Sequence, residues 1–239
     1  MGKYKSKIKR ILFKLSGEAL QGEKEYGIDV NFLQDLAKKL VYLSKYKGLQ
    51  IIIVIGGGNI FRGVSGASNG LDRSQADYMG MLATIMNGIA LGDAIETNGN
   101  EVRIMSALDI PKVAETFVRR RALKHLEKGR IVISVAGSGN PYYTTDSAAV
   151  LRALELDCDF MVKGTKVDGI YDKDPEKFDN AKKYENITLS DALGKGLKIM
   201  DQSAIALAKD EKLPIFVCKI NDIEKILSKN IKGTYVDID

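Results

Sequence analysis

The chain alternates short apolar, β-branched runs with longer stretches in which apolar residues recur every three or four positions. Residues 9–15, 50–55, 101–106, 130–135, 159–163, 214–218 and 234–238 have strand length, and residues 29–46, 72–97, 111–128, 147–155, 189–193, 200–209 and 222–229 have helical spacing. Gln50-Ile-Ile-Ile-Val-Ile55 is apolar at nearly every position, as in a strand buried on both faces of a parallel sheet. Phe32, Leu33, Leu36, Leu40 and Leu43 follow Asp29 at helical spacing, which predicts Asp29 as an N-cap, and Gly48 ends that helix. Strand followed by helix, repeated, predicts an α/β fold: a three-layer α/β/α sandwich around a mostly parallel central sheet. No internal repeat or low-complexity tract interrupts it.

The totals sharpen this picture. A chain of 239 residues, 45% hydrophobic and 28% charged, fits one domain over residues 1–239 with a sizeable core. No apolar run approaches the roughly 20 residues of a membrane span. The basic start, residues 1–10, leads into a stretch soon interrupted by Lys14, Ser16 and Glu18, unlike a secretory signal, so a cytoplasmic protein is expected. Cys158 and Cys218 are far apart and beside no histidine, which predicts small core residues and neither a disulfide framework nor a zinc site. His125, the single histidine, follows Arg119, Arg120 and Arg121 on a helix predicted at the surface, a poor setting for catalysis. Lys and Arg number 36 against 31 Asp and Glu, and they are spread along the chain. That balance suits a phosphorylated substrate and gives no basic arm for nucleic acid.

Candidate chemistry lies at the strand ends, where an open α/β sheet binds its ligands. The run beginning at Arg130 passes into Gly137, Ser138, Gly139, Asn140 and Pro141 and delivers Thr144, Thr145 and Asp146 in front of a helix. Asp146 is then either the helix N-cap or a carboxylate facing a crevice. Lys14 ends the first strand beside Ser16 and Gly17, either solvent-facing or set against polyphosphate oxygens. Gly56-Gly57-Gly58-Asn59 follows the second strand, with Arg62 beyond it, which suits backbone amides and a guanidinium around phosphate. Residues 64–71 read as a mobile loop by composition, and residues 22–27 as a charged one. On the long helix that follows, Asp77 either bonds a ligand hydroxyl or favours the helix N-terminus, and the methionines pack in the core or a subunit contact. Lys163, Gly164, Thr165 and Lys166 end a further strand, and Tyr171 and Asp174 lie in the turn-rich loop after it, where the tyrosine could hold a purine.

Together, Lys-Leu-Ser-Gly-Glu-Ala-Leu at 14–20, Ile-Gly-Gly-Gly-Asn-Ile-Phe-Arg-Gly at 55–63, Gly-Asn-Pro-Tyr-Tyr-Thr-Thr-Asp at 139–146 and Lys-Val-Asp-Gly-Ile-Tyr at 166–171 resemble the bacterial UMP kinases of the amino acid kinase family. The resemblance runs from about Lys9 to the C-terminus and extends to Met-Gly-Met-Leu-Ala-Thr and Met-Asn-Gly on the long helix. It implies the amino acid kinase fold and transfer of the ATP γ-phosphoryl group to UMP with Mg²⁺, in pyrimidine biosynthesis. It also implies that Lys14, Leu15, Ser16 and Gly17 lie along the ATP phosphates, with Lys163, Thr165, Tyr171 and Asp174 around ATP. Gly57 and Gly58 would lie where donor and acceptor meet, Arg62 would grip phosphate and Asp77 the UMP ribose. Ser138, Gly139, Asn140, Pro141, Tyr142, Tyr143, Thr144 and Thr145 would surround UMP, while Asp146 and Asp201 orient Lys14, metal-bound water or the nucleotide. No protein metal ligand is assigned. The part before about residue 160 would serve mainly UMP and the part after it ATP. Ser138 stands where Thr is common, and Tyr142-Tyr143 where Phe-Phe is common. GTP activation through residues 23–26, UTP inhibition and a homohexamer are expectations of the same resemblance.

Overall fold

The computed structural model describes residues 8–62, 70–197, 199–228 and 230–238. Most of the basic start (residues 1–7), Gly63, residues 64–69 of the expected loop and Lys229 at the end of the last expected helix lie outside the described residues.

A nine-stranded sheet organises the chain. Its strands are β1 (Arg10–Leu15), β2 (Gln50–Ile55), β3 (Val102–Ser106), β4 (Glu115–Thr116), β5 (Ile131–Val135), β6 (Phe160–Thr165), β9 (Asn186–Thr188), β10 (Ile215–Lys219) and β11 (Thr234–Asp237). The spatial order is β4-β3-β5-β2-β1-β6-β10-β11-β9, and only the β10-β11 pairing is antiparallel. Two short strands, β7 (Ile170–Tyr171) and β8 (Lys183–Tyr184), form an antiparallel pair of their own. The chain leaves β1 toward β2 on one side and returns to its other side with β6, so the direction of winding reverses beside β1.

Period-two alternation sorts the side chains onto two cores. Ile11, Phe13 and Leu15 of β1 join Ile51, Ile53 and Ile55 against the helices Val30–Ser44 and Arg73–Thr97. Leu12, Ile52, Val54 and Met161 face the helices Arg119–Glu127, Thr145–Glu155 and Gln202–Asp210. Lys14 and Lys163 therefore share the parity of Leu12 and Met161, at the carboxyl ends of their strands and on the side covered by helix Thr145–Glu155. That helix is held from below by buried Arg152, whose guanidinium stacks 3.9 Å from the Phe117 ring centroid and bonds Ser134 and Glu155.

Helix Arg73–Thr97 is long and apolar enough to cross a membrane by length and composition, although the sequence reading found no such run; 56% of that stretch is buried inside the fold.

Three expected helices are redrawn. The one expected over residues 111–128 begins only at Arg119, because Glu115 and Thr116 pair with β3 and the Phe117 N–H donates to Ser106 O. The one expected over residues 222–229 is a short 3-10 helix, Ile220–Lys225, in which Asp222 holds Lys225. The central helix starts at Thr145, two residues early, since Thr144 accepts from the N–H groups of Asp146 and Ser147. Thr144, and not Asp146, is its N-cap. Asp29 caps its helix as its spacing predicts, while Asp201, expected within a helix over residues 200–209, caps the helix Gln202–Asp210 instead.

Both cysteines pack in or near the core, and burial pushes each thiol up to about 12, well away from reactivity. His125 is held between Glu115 at 3.1 Å and Arg130 at 3.1 Å, remote from the strand ends discussed next.

Candidate active site

Relieved of capping, the Asp146 carboxylate turns to the strand ends. Its Oδ1 lies 2.9 Å from the Lys14 ammonium, an ionic contact short of hydrogen-bond angles, and its Oδ2 accepts from Lys163 at 2.7 Å. All three side chains are about nine-tenths buried, with exposures of 12%, 13% and 13%. Burial alone would push the Asp146 pKa up, but the two ammonium charges outweigh it and hold the carboxyl below its ordinary value. Burial, with repulsion from Lys14, lowers the Lys163 pKa despite the attraction of Asp146. Lys163 also donates to the Ile199 carbonyl.

One cleft opens beside this triad, about 240 Å³ in volume, lined by Gly57, Gly58, Arg62, Asp77, Ser138, Asn140, Tyr143, Thr144 and Thr145. A second, about 540 Å³, is lined by Lys163, Thr165, Tyr171 and Asp174. The second has the size of a small-molecule site, and the first falls just short of that range. Asp146 stands between them, following Thr145 of the first cleft and gripping Lys163 of the second. A much smaller crevice between Ile8, Phe216 and Tyr235 is lined mainly by apolar side chains and holds no such convergence of charge.

In the first cleft Asp77 pairs with Arg73 at 2.9 Å and accepts the Tyr142 N–H at 2.8 Å, tying the long helix to the loop before Thr144. Tyr142 has φ +71°, a left-handed conformation unusual outside glycine, and its side chain is exposed beneath the Arg73 guanidinium. Arg62 pairs with Glu18 at 2.5 Å. The N–H groups of Gly57 and Gly58 donate to no protein acceptor among the described residues. Gly57 has a packing reason as well, since a Cβ there would come within 2.8 Å of the Gly80 carbonyl and the Ala83 methyl.

In the second cleft the Tyr171 hydroxyl donates to Asp168, which also faces Lys183, and that hydrogen bond pushes the tyrosine up to about 12. The Thr165 hydroxyl donates to the Val167 carbonyl, and Asp174 accepts the Glu176 N–H.

Some expected site residues stand elsewhere. Leu15 is a core residue on the opposite face, so only its backbone is at the strand end. Ser16 precedes the 3-10 turn Gly17–Gln21. Gly139 is seated against Ala107, and neither it nor Pro141 or Tyr142 lines either cleft. Asp201 touches neither Lys14 nor Lys163. Its carboxylate accepts from the hydroxyls of Thr144, Ser147 and Ser203 and from the Ala204 N–H, joining the starts of two helices. Burial works against that charge, but those donors together hold the Asp201 carboxyl below its ordinary value. Reading by motif missed Arg73, Thr84, Lys195 and Ile199, which line the clefts; only Arg73, one turn before Asp77, carried a signal in its spacing.

Residues 9–219 match the model of the amino acid kinase family, nearly the whole sheet. The chain belongs to the amino acid kinase family. Among members of this family it is similar to a uridylate kinase of Erythrobacter litoralis, 53% identical over 215 residues, 90% of each chain. Crystal structures of UMP kinase from Bacillus anthracis and from Ureaplasma parvum superimpose on it with TM-scores of 0.91 each. The first is 36% identical, covering 97% of this chain and 96% of that one, and the second 38%, covering 97% and 99%. The amino acid kinase fold thus accounts for a mostly parallel sheet with helices on both faces.

Proposed function

We propose that this amino acid kinase phosphorylates UMP, moving the γ-phosphoryl group of ATP to the UMP phosphate and giving UDP and ADP. The observation that carries the reading is the Lys14–Asp146–Lys163 triad with a polar cleft on either side of it. UMP takes the first cleft, before residue 160 in the chain, with Asp77 toward its ribose, Arg62 on phosphate and residues 138–145 around it. ATP takes the second, with Thr165, Tyr171 and Asp174 about it.

The acceptor phosphate oxygen is itself a nucleophile and largely deprotonated at neutral pH, so no strong general base is required. The barrier is the approach of two anions and the charge that spreads over the moving phosphoryl group. Lys14 and Lys163 supply fixed positive potential in a nearly water-free place, where it acts strongly. Asp146 holds both ammonium groups on their strands and leaves the net charge of the triad positive. Gly57 and Gly58 add backbone N–H groups, and Arg62 a guanidinium once it leaves Glu18. Asp201 sets the start of the helix that carries Asp146.

No group of three His, Cys, Asp or Glu side chains among the described residues could hold a metal. Both Asp146 oxygens already face ammonium groups, so the residues present suit Mg²⁺ arriving on ATP phosphate oxygens, with Asp146 and Asp201 as the nearby carboxylates. When bound, it neutralises polyphosphate charge.

Met79, Leu82, Met86 and Ile89 form an exposed apolar stripe on helix Arg73–Thr97, which supports self-association and, on the family pattern, a homohexamer. GTP activation, UTP inhibition, a cytoplasmic location and a place in pyrimidine biosynthesis belong to the same reading. The test is ADP release with ATP and Mg²⁺ against UMP, CMP and dUMP, beside acetylglutamate, aspartate and carbamate. Release dependent on UMP supports the reading, and release with a carboxylate or carbamate alone defeats it.

A further inference from the structure

Asn87 lies on the long helix with no exposed surface, deep beneath the glycine loop, and no catalytic role described so far uses it. A primary amide at that depth must satisfy two donors and an acceptor. It does so in a closed network. Asn87 Nδ2 donates to the Gly56 carbonyl at 2.7 Å and to Asn59 Oδ1 at 2.7 Å. Asn59 Nδ2 returns a bond to Asn87 Oδ1 at 3.0 Å and donates to the Gly27 carbonyl at 2.9 Å. The Asn59 carbonyl in turn accepts the Gly27 N–H at 2.7 Å.

The bond to Gly56 has a stereochemical consequence. No peptide bond among the described residues is cis, so the Gly56 C=O and the Gly57 N–H, which share one planar unit, point in opposite directions. A donor that draws the carbonyl down toward the helix therefore aims the Gly57 N–H up, away from Asn87. Gly57 lines the first cleft, and its N–H meets no protein acceptor among the described residues. Glycine has no side chain to hinder rotation of this peptide, so the loop alone would not fix its direction.

The geometry points to Asn87 as a positioning residue for phosphoryl transfer: by holding the Gly56 carbonyl it fixes the Gly57 N–H as a hydrogen-bond donor aimed at a phosphate oxygen in the cleft. The assignment rests on the phosphoryl-transfer reading given above. A donor already in place costs nothing to reorganise as charge develops, so its loss falls on turnover more than on substrate capture.

Asn87→Asp keeps the shape and replaces the donating NH₂ with an oxygen that repels the Gly56 carbonyl. Asn87→Ala serves as the second variant, should a buried carboxylate prevent folding. Melting curves establish the folded fraction, steady-state kinetics give kcat and KM for both nucleotides, and a crystal structure of the folded variant gives the direction of the Gly56–Gly57 peptide. The expected result is kcat lowered about tenfold or more per folded molecule, KM within about threefold of wild type, and a turned peptide. A folded variant with kcat within about twofold of wild type and an unturned peptide overturns the assignment. Wild-type turnover of UMP, measured alongside, reports separately on the functional reading, because the peptide direction decides this inference whatever the acceptor.

Discussion

Lys14 and Lys163 are register partners on adjacent parallel strands, β1 and β6, and their ammonium groups hold opposite oxygens of one carboxylate. Two like charges side by side in a buried place repel, and Asp146 makes the pair tolerable. The carboxylate comes from a helix that crosses over β1 between β5 and β6, so the sheet's reversal beside β1 is what assembles the triad.

Lys14→Ala removes one of the two fixed charges at the meeting point. Turnover should fall at least about a hundredfold, roughly 3 kcal/mol of transition-state stabilisation, with UMP binding nearly unchanged. Steady-state kinetics beside equilibrium binding of UMP provide the check, and wild-type-like turnover would reject the role.

Asp146→Asn leaves two buried ammonium groups without their counter-charge. Breaking a buried ion pair from one side costs about 3–5 kcal/mol, and denaturant unfolding at neutral pH should register a loss of that order. Because burial is outweighed by the two lysines and the folded pKa lies below the ordinary value, the Asp146 contribution is complete above about pH 3.9. It fades as pH falls through the depressed pKa. The asparagine variant should lack that acid-side dependence.

Lys163, lowered by burial and by Lys14, loses its proton at a lower pH than an ordinary lysine. Between its folded pKa and about 10.4 the unfolded chain binds the extra proton, so stability rises with pH while the charge needed for turnover disappears. The kcat profile should therefore fall on its alkaline side. Lys163→Arg, which stays charged, should move that limb upward even at reduced overall rate. An alkaline limb unmoved by the substitution would take Lys163 out of the profile.

Arg62, paired with Glu18, is expected to change partner when phosphate binds. Arg62→Ala should weaken UMP binding about tenfold or more, the scale of one lost charge-assisted bond. Calorimetric titration measures it, and unchanged affinity and rate would remove Arg62 from the site.

The sheet, its strand ends and the membership of both clefts were largely legible because period-two runs and glycine-rich turns are local signals. Lys14, Thr145 and Tyr171 could be placed by strand and motif alone. What sequence could not supply was partnership across the chain. Lys163 could be placed at a strand end, but its pairing could not, because its partner Asp146 lies 17 residues back on another element. Asp201 looked like part of the lysine cluster, and three hydroxyls and a backbone N–H claim it instead. The helix expected from Pro111 was misplaced because Glu115 and Thr116 are taken by an edge strand, a tertiary choice that overrides local spacing. Asn87 entered only within the Met-Asn-Gly stretch of the resemblance and was given no role, because its partners Gly56 and Asn59 lie about 30 residues back in the glycine loop.

The central claim is that two nucleotides meet end to end across the Lys14–Asp146–Lys163 triad. The most direct measurement is equilibrium binding of adenosine and uridine joined 5′ to 5′ through a pentaphosphate. The account predicts that this molecule binds more tightly than ATP or UMP alone, is displaced by either, and loses most of its advantage in Lys14→Ala. Binding no tighter than one nucleotide, or mutual competition of ATP and UMP for one cleft, would contradict it.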